Sequence, residues 1–208
     1  MDILMHPSYF PNIASCVAMV NASDLHLEIH DTYQKQTYRN RAHIYSANGK
    51  LSLNVPVTYS QKNRQFYKEV QIANDGKWQA VHWKSLHSAY STSPYFEFYA
   101  DELKPLFLKE YKHIFAFNMK CLEVVSECLQ WSLTYSFTEA YEKSSTNLDL
   151  RTLIKARKEK EFALDPYVQV FSNKHGFISN LSILDLLFNE GPNTLNYLKN
   201  QDFNQFKL

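Results

Sequence analysis

The N-terminal segment restricts the fold more than any other part of the chain, because two short strand patterns flank one short helical pattern. DILM, at residues 2–5, is apolar and short, which is typical of a buried strand. It ends at His6, and Pro7 and Pro11 exclude the interior of a helix from the residues that follow. The chain is therefore predicted to begin with a strand and a loop.

A helix and a second strand are predicted after this loop. Positions 13, 16, 17 and 20 are apolar with helical spacing, and Asn12 stands where an N-cap would stabilise the first turn. In DLHLEIH, residues 24–30, apolar and polar side chains alternate as on a strand with one buried face. A strand, a short helix and a second strand form a βαβ unit, and ligands of such units bind beyond the C-terminal ends of the strands. We therefore expect His6, His30 and Asp31 to lie in one cleft.

The rest of the chain mixes strand and helix patterns. SANGK, between two strand patterns, predicts a hairpin, and WKSLHSAY predicts a helix that ends at Tyr90. A long helix is predicted from about Leu106 to Phe137. Residues 142–151 are predicted to form a loop, residues 167–171 (YVQVF) a strand, and NLSILDLLFNEG a helix that ends near Gly191. The sequence predicts an α/β fold, with an N-terminal strand-loop-helix-strand unit in a mixed sheet and a largely helical C-terminal part.

Length and charge restrict the partners. A chain of 208 residues can bury the core of a single domain spanning 1–208. A formal net charge of +1 gives no extended field that would attract nucleic acid or an anionic membrane. No apolar run approaches the roughly 20 residues that cross a bilayer, no signal peptide is visible, and the three cysteines lack CxxC spacing. We expect a cytoplasmic protein that binds neither nucleic acid nor membrane.

Common cofactor and catalytic motifs are absent from the sequence. With only four glycines, the chain has no G-x-G-x-x-G and no Walker motif, which disfavours a standard dinucleotide or P-loop enzyme. G-x-S-x-G and H-E-x-x-H are also absent. His26, Glu28 and His30 share one face of a predicted strand and have a spacing that can bind zinc, although we favour a polar strand face exposed to solvent. We therefore predict no metal and no cofactor.

Two stretches contain candidate binding or catalytic residues. Arg39 and Arg41 stand two apart and would share one face of a strand, where two guanidinium groups suit a phosphate or carboxylate. An ion-paired strand at the surface is the alternative. On the predicted helix, His87 follows Trp83 by four residues, so we expect its side chain to turn towards the cleft as a candidate base. The 14 tyrosines indicate either half-buried packing or a cleft that stacks a planar or sugar-like ligand.

Five stretches of the chain belong together in a pattern. They are HPSYFPNI (6–13), NASD (21–24), YRNRAHI (38–44), LNVPV (53–57) and WKSLHSAYSTSPYFEFYADEL (83–103). Together they resemble the WbqC-like protein family. HGFISNLSILDLLFNEGP (175–192) resembles the branch found in Bacteroidetes-type bacteria. The sequence departs from the family pattern in three ways: His6 replaces the usual Gln, Ala14 and Ser15 replace a Gly-Tyr pair, and His30 replaces an Asp. Asp31 matches the pattern.

The resemblance implies an enzyme of bacterial surface-polysaccharide biosynthesis, because family members occur in gene clusters for O-antigen and related glycans. It implies a transferase that modifies a nucleotide-activated sugar by acyl or aminoacyl transfer. The opening unit is also similar to nucleotidyl-transferring α/β folds that use a loop histidine at this place, which is an analogy of fold alone.

The residues and the resemblance together give a predicted site for a small-molecule substrate. The predicted catalytic residues are His6, Asp31 and His87, and the predicted substrate-binding residues are Tyr9, Arg39, Asn40, Arg41, Tyr90 and Tyr95. The arginines would hold a phosphate, the asparagine would orient it, and the tyrosines would line the pocket. A non-catalytic binding or scaffold protein of the same pathway is one alternative. A metal-dependent hydrolase that uses His26, Glu28 and His30 is another.

Overall fold

The N-terminal residues form the predicted strand-loop-helix-strand unit. Strand β1 spans Asp2–Met5, helix α1 spans Ile13–Val20, and strand β2 spans Asp24–Leu27, parallel to β1. The Asn12 side chain accepts a hydrogen bond from the Ser15 backbone N–H at 2.9 Å, so it caps the helix as predicted. The computed structural model describes residues 1–60, 64–157 and 159–206.

Two antiparallel strand pairs follow. Strands β3 (Arg41–Ser46) and β4 (Gly49–Asn54) form the predicted hairpin, and β5 (Val57–Thr58) pairs with β6 (Gln71–Ile72). Gly49 has a φ of 93°, a left-handed conformation that glycine adopts without steric cost. The turn signal in the sequence therefore identified the hairpin correctly.

Three helices form the middle of the chain. They are α2 (Trp78–Tyr90), which ends as predicted, α3 (Phe96–Leu103) and α4 (Ile114–Cys128). The predicted helix over 106–137 is wrong in its extent, because a separate 3-10 turn precedes α4 and the chain leaves the helix soon after Cys128. Gln130 has a φ of 51°, which stops the helix although the apolar spacing continues beyond it.

Two further short strands complete a four-stranded parallel sheet. Strand β7 (Ser136–Phe137) pairs with β2, and β8 (Leu148–Asp149) pairs with β1. The prediction of an unbroken loop over 142–151 is wrong at β8, whose two residues are too few to give a periodic pattern. The order across the sheet is β7-β2-β1-β8, so the chain crosses from one side of β1 to the other. The crevice between β1 and β8 is the type of position where doubly wound sheets bind ligands.

Short helices follow in the C-terminal part. They are α5 (Ser172–His175), α6 (Ile183–Glu190), which ends at Gly191 as predicted, and α7 (Thr194–Asn200). With α4 they confirm the predicted α/β class with helices concentrated in the C-terminal half. None of the helices in the described residues is long and apolar enough to cross a membrane.

The predicted strand over 167–171 does not form. Instead, the Gln169 side chain bonds to the backbone of Ile178 in both directions: Nε2 donates to the carbonyl oxygen and Oε1 accepts from the N–H, each at 2.9 Å. A side chain thus supplies the pairing that a neighbouring strand would otherwise supply, which explains why an apolar β-like pattern did not become a strand.

The two faces of the parallel sheet have different surroundings. Four residues of β1 and β2 point into the hydrophobic core, and they are Ile3, Met5, Leu25 and Leu27. On the opposite face, Leu4, His26 and Ser136 lie side by side on adjacent strands. Residues 138–147 lie over this second face and enclose a cavity with it.

Candidate functional site

The candidate site is a cleft at the carboxyl ends of β1 and β8. His6 directly follows β1, and Asp149 is the last residue of β8. Asp31 and Arg39 reach the cleft from the segment between β2 and β3. The cavity has a volume of about 200 Å³, and its other lining residues are Gln34, Tyr141, Arg151, Thr152, Ile154 and Lys155.

His6, Asp31 and Arg39 form one hydrogen-bonded cluster in this cleft. Arg39 Nη2 donates to Asp31 Oδ2 at 2.7 Å, and His6 Nε2 lies 3.3 Å from the same oxygen. Arg39 Nη2 also lies 3.1 Å from His6 Nε2. The structure thus brings together three of the residues that the sequence places after predicted strands, and their chemical roles remain predictions.

The cluster favours a neutral imidazole beside an ionised carboxylate. Burial lowers the pKa of His6; the hydrogen bond to Asp31 opposes this effect and the Arg39 charge adds to it. Burial alone would raise the pKa of Asp31, but the hydrogen bond from His6 and the Arg39 charge outweigh it, so the pKa lies below its ordinary value. A neutral histidine held by a carboxylate is the arrangement of a general base and its orienting group.

Arg39 is the largest fully buried side chain of the protein, with 0% of its surface exposed. Its Nη2 is bonded to Asp31, whereas Nε and Nη1 are buried without a hydrogen-bond acceptor among the described residues. Its Cζ lies 5.2 Å from the centre of the Tyr67 ring, a cation–π contact that compensates part of the charge. Arg39 lines the cleft and two of its guanidinium nitrogens lack an acceptor, so an acceptor-rich anion that reached them would satisfy them.

Arg151 supplies a second guanidinium that the sequence did not reveal. Its Nε and Nη2 donate to the two carboxylate oxygens of Asp149 at 2.9 and 2.6 Å. Its Nη1 donates to the Glu142 carbonyl oxygen at 2.7 Å, and its Cζ lies 5.3 Å from the centre of the Tyr141 ring. These hydrogen bonds of Arg151 therefore hold the loop 138–147 against the end of β8.

Cations outnumber carboxylates in the lining of the cleft. Among the lining residues, Arg39, Arg151 and Lys155 stand against Asp31 and Asp149, and Arg151 also lies 3.8 Å from the buried carboxylate of Glu28, which is outside the lining. Lys155 is exposed at the rim and forms no ion pair within the described part of the chain. With a neutral His6, the cleft has a formal charge of +1, which favours an anionic ligand.

The prediction that Arg39 and Arg41 share a strand face is wrong, because β3 begins only at Arg41 and Arg39 lies in the turn before it. Arg41 Nε donates to Asn54 Oδ1 at 2.7 Å in an exposed position on the hairpin. Asn40 Nδ2 donates to the Val55 carbonyl oxygen at 2.8 Å, which fixes the backbone. Neither Asn40 nor Arg41 lines the cleft.

The three predicted pocket tyrosines belong to other parts of the fold. Tyr9 is buried, and its hydroxyl is 2.9 Å from His82 Nδ1. Tyr90 is also buried, and its hydroxyl donates to Asp185 Oδ1 at 2.6 Å. Tyr95 lies at the start of α3 and bonds through its backbone to α6. None of the three lines the cleft, so they stabilise the protein rather than the site.

His87 does not turn towards the cleft, and that expectation is wrong. Leu86 is buried as predicted, but His87 is exposed, and its ring meets the edge of Phe96 with the centres 5.6 Å apart. The helix therefore directs His87 to the surface beside α3, away from the lining of the cleft.

The zinc-like spacing of His26, Glu28 and His30 does not produce a metal site. His26 Nδ1 lies 2.9 Å from Ser136 Oγ, and His30 Nε2 lies 3.0 Å from the Thr138 carbonyl oxygen. Glu28 is fully buried, so the expectation of a solvent-exposed face is also wrong at this residue. Over 1–60, 64–157 and 159–206, no three His, Cys, Asp or Glu side chains converge as metal binding requires.

Comparisons with known proteins place this chain within a family. The uncharacterized protein Rv1507c of Mycobacterium tuberculosis is 26% identical to the chain over 195 residues, which cover 80% of this chain and 84% of that protein. No solved structure matches the chain. The WbqC-like protein family matches residues 6–169, a range that includes His6, Asp31, Arg39 and Arg151. Since this match covers most of the chain, the protein belongs to the WbqC-like protein family.

Proposed function

We propose that the protein is a transferase of bacterial surface-polysaccharide (O-antigen) biosynthesis that binds a nucleotide-activated sugar in the cleft between β1 and β8. The observation that carries the proposal is the buried guanidinium of Arg39, with two nitrogens that lack acceptors beside a cleft of positive charge. Phosphate oxygens would supply those acceptors in the planar geometry that a guanidinium prefers. The pathway is proposed from the resemblance to the WbqC-like family.

The cluster of His6 and Asp31 would supply the proton transfer. In acyl or aminoacyl transfer, an acceptor amine or hydroxyl attacks the carbonyl carbon of an acyl donor. The new C–N or C–O bond forms, the bond from that carbon to the donor's leaving group breaks, and the acceptor loses a proton that can pass to the leaving group. The neutral imidazole of His6 would take that proton, and ionised Asp31 would stabilise the imidazolium that results. Arg39 and Arg151 would hold the phosphate, and Lys155 would attract it at the rim.

A thermal-shift screen of nucleotides and nucleotide sugars, followed by titration calorimetry, tests the binding step. Lys155→Gln removes an exposed charge at the rim, so we expect affinity about two- to fivefold lower, the range for an exposed ion pair. Lys199→Gln removes an exposed lysine of α7 outside the cleft and is the matched control. Absence of binding by every phosphate-bearing compound, or equal affinities in the two variants, would contradict phosphate binding in this cleft.

A non-catalytic binding protein of the same pathway is the second candidate. The 2.7 Å bond between Arg39 and Asp31 favours it, because this carboxylate already compensates the guanidinium without a ligand. Mass spectrometry of a bound nucleotide sugar, incubated with a set of acyl donors, separates the two functions. A mass increase that disappears in His6→Gln supports the transferase, whereas binding without any mass change supports the binding protein.

A further inference from the structure

A second and larger cavity lies on the sheet face opposite the core. Its volume is about 570 Å³, within the range of small-molecule sites. The row of Leu4, His26 and Ser136 forms its floor, and the loop 138–147 forms much of its wall. His26 Nδ1 and Ser136 Oγ, 2.9 Å apart, are the polar groups of this floor, and Leu4 is its apolar part.

The lining of this cavity has negative charge and no cationic side chain. Glu28, Glu139 and Glu142 contribute carboxyl groups, and neither lysine nor arginine is among the lining residues described. Glu139 and Glu142 are exposed at the rim, whereas Glu28 is fully buried. The charge is therefore opposite in sign to that of the cleft between β1 and β8, and it favours a cationic ligand.

Glu28 has one carboxylate oxygen that lacks a donor. Its Oε1 accepts from the His30 backbone N–H at 2.6 Å and from Thr138 Oγ1 at 3.2 Å. Its Oε2 is buried and has no hydrogen-bond partner in the described structure. Arg151 Nη1 forms an ion pair with this oxygen at 3.8 Å, beyond hydrogen-bond distance, and donates its hydrogen bond to the Glu142 carbonyl oxygen. A buried carboxylate oxygen without a donor is costly, so a ligand N–H at this place would be strongly favoured.

We propose that this cavity binds the primary ammonium group of a small polar molecule, such as an amino sugar, with Glu28 Oε2 as the principal acceptor. An ammonium group has three donors and no acceptor, which suits a cavity lined by carboxylates and a hydroxyl. Glu142 adds attraction at the rim, and the apolar floor at Leu4 contacts the carbon skeleton. The two cavities have separate linings, so this binding can be measured without a ligand in the cleft between β1 and β8.

Titration calorimetry with glucosamine and N-acetylglucosamine at pH 7 tests the proposal, because N-acetylation removes the positive charge of the amino group and adds an acetyl group, and Glu28→Gln separates the effect of the charge from that of the added group. We expect glucosamine to bind at least about tenfold more tightly than N-acetylglucosamine, as for a hydrogen bond to a charged group. Glu28→Gln keeps the shape of the side chain and should remove most of this preference. Equal affinities of the wild-type protein for the two sugars would overturn the proposal.

Two further variants keep the test decisive if Glu28→Gln fails to fold. Glu142→Gln changes an exposed side chain and should weaken glucosamine binding about two- to fivefold. Glu110→Gln changes an exposed carboxylate outside the cavity, and its affinity should equal that of the wild type. Identical glucosamine affinities for these two variants would overturn the proposal. Nucleotide-sugar binding measured on Glu142→Gln shows separately whether the cleft between β1 and β8 is functional.

Discussion

Replacing Arg39 by lysine tests the most buried charge of the cleft. The side chain has no exposed surface, and its Nη2 donates to Asp31 Oδ2 at 2.7 Å. Lysine retains the charge but loses the planar fork and its stacking on Tyr67, so the variant loses about one hydrogen bond between charged groups, roughly 1.5–3 kcal/mol. In a chain of this size, each kcal/mol corresponds to roughly 2–4 °C in Tm, so we expect Tm to fall by roughly 3–12 °C.

Arg41→Lys is the matched control for this prediction. Arg41 is two residues away, but its Nε bonds to Asn54 in an exposed position and its side chain does not line the cleft. Exposed substitutions of this kind change the free energy of unfolding by about 0.5 kcal/mol or less. We therefore expect Tm to change by no more than about 2 °C, and ligand affinity to remain that of the wild type.

Thermal unfolding and nucleotide-sugar affinity, measured on both variants well below their Tm, decide between two roles of Arg39. If Arg39 holds phosphate, Arg39→Lys should weaken binding by about tenfold or more. A lower Tm with unchanged affinity would show that the ion pair with Asp31 is structural only. Equal Tm values for Arg39→Lys and Arg41→Lys would refute the argument from burial itself.

Three further predictions concern the folded protein. Burial lowers the pKa of His43 and of His82 to about 4. Below about pH 6.5 the unfolded chain therefore binds protons that the folded chain does not. As the pH falls, the free energy of unfolding decreases by up to about 1.4 kcal/mol per pH unit for each histidine. Tm should therefore be lower at pH 5 than at pH 7.5, and an unchanged Tm would contradict this reasoning. Gly191→Ala places a Cβ 2.5 Å from the Tyr95 ring at a φ of 52°. We therefore expect the free energy of unfolding, measured with denaturant, to fall by more than about 1 kcal/mol. A variant as stable as the wild type would show that the turn adjusts without cost. His87→Ala should leave nucleotide-sugar affinity unchanged, since His87 is exposed outside the cleft. Weaker binding of this variant in calorimetry would show that His87 contributes to the site.

Local signals made part of the fold predictable from sequence. Asn12 caps α1 with its own side chain, Gly49 permits the hairpin turn, and Gly191 ends α6, and each of these effects depends on a few adjacent residues. Strands β7 and β8 have only two residues each, so their positions depend on pairing with distant parts of the chain. For the same reason, no sequence pattern revealed that β8 lies beside β1.

The candidate site was predictable only where it follows the N-terminal strands. His6 and Asp31 come after β1 and β2, so the order of the elements placed them at one edge of the sheet. Arg151 reaches that edge only because β8 pairs with β1, which no local pattern indicates. Tyr90 was assigned to the pocket because the sequence does not show that its partner, Asp185, buries its hydroxyl in the core.

The position of Arg151 would couple ligand binding in the two cavities. Its guanidinium lines the cleft between β1 and β8, and it also donates to the carbonyl oxygens of Glu142 and Lys143 in the loop that encloses the second cavity. An anion that draws the guanidinium away from these carbonyls changes the conformational freedom of the loop, and hence the affinity of the second cavity. Reciprocity then requires that occupancy of the second cavity change the affinity for the anion by the same factor. The affinity for each ligand would therefore depend on the presence of the other through Arg151, although the two ligands are not in contact.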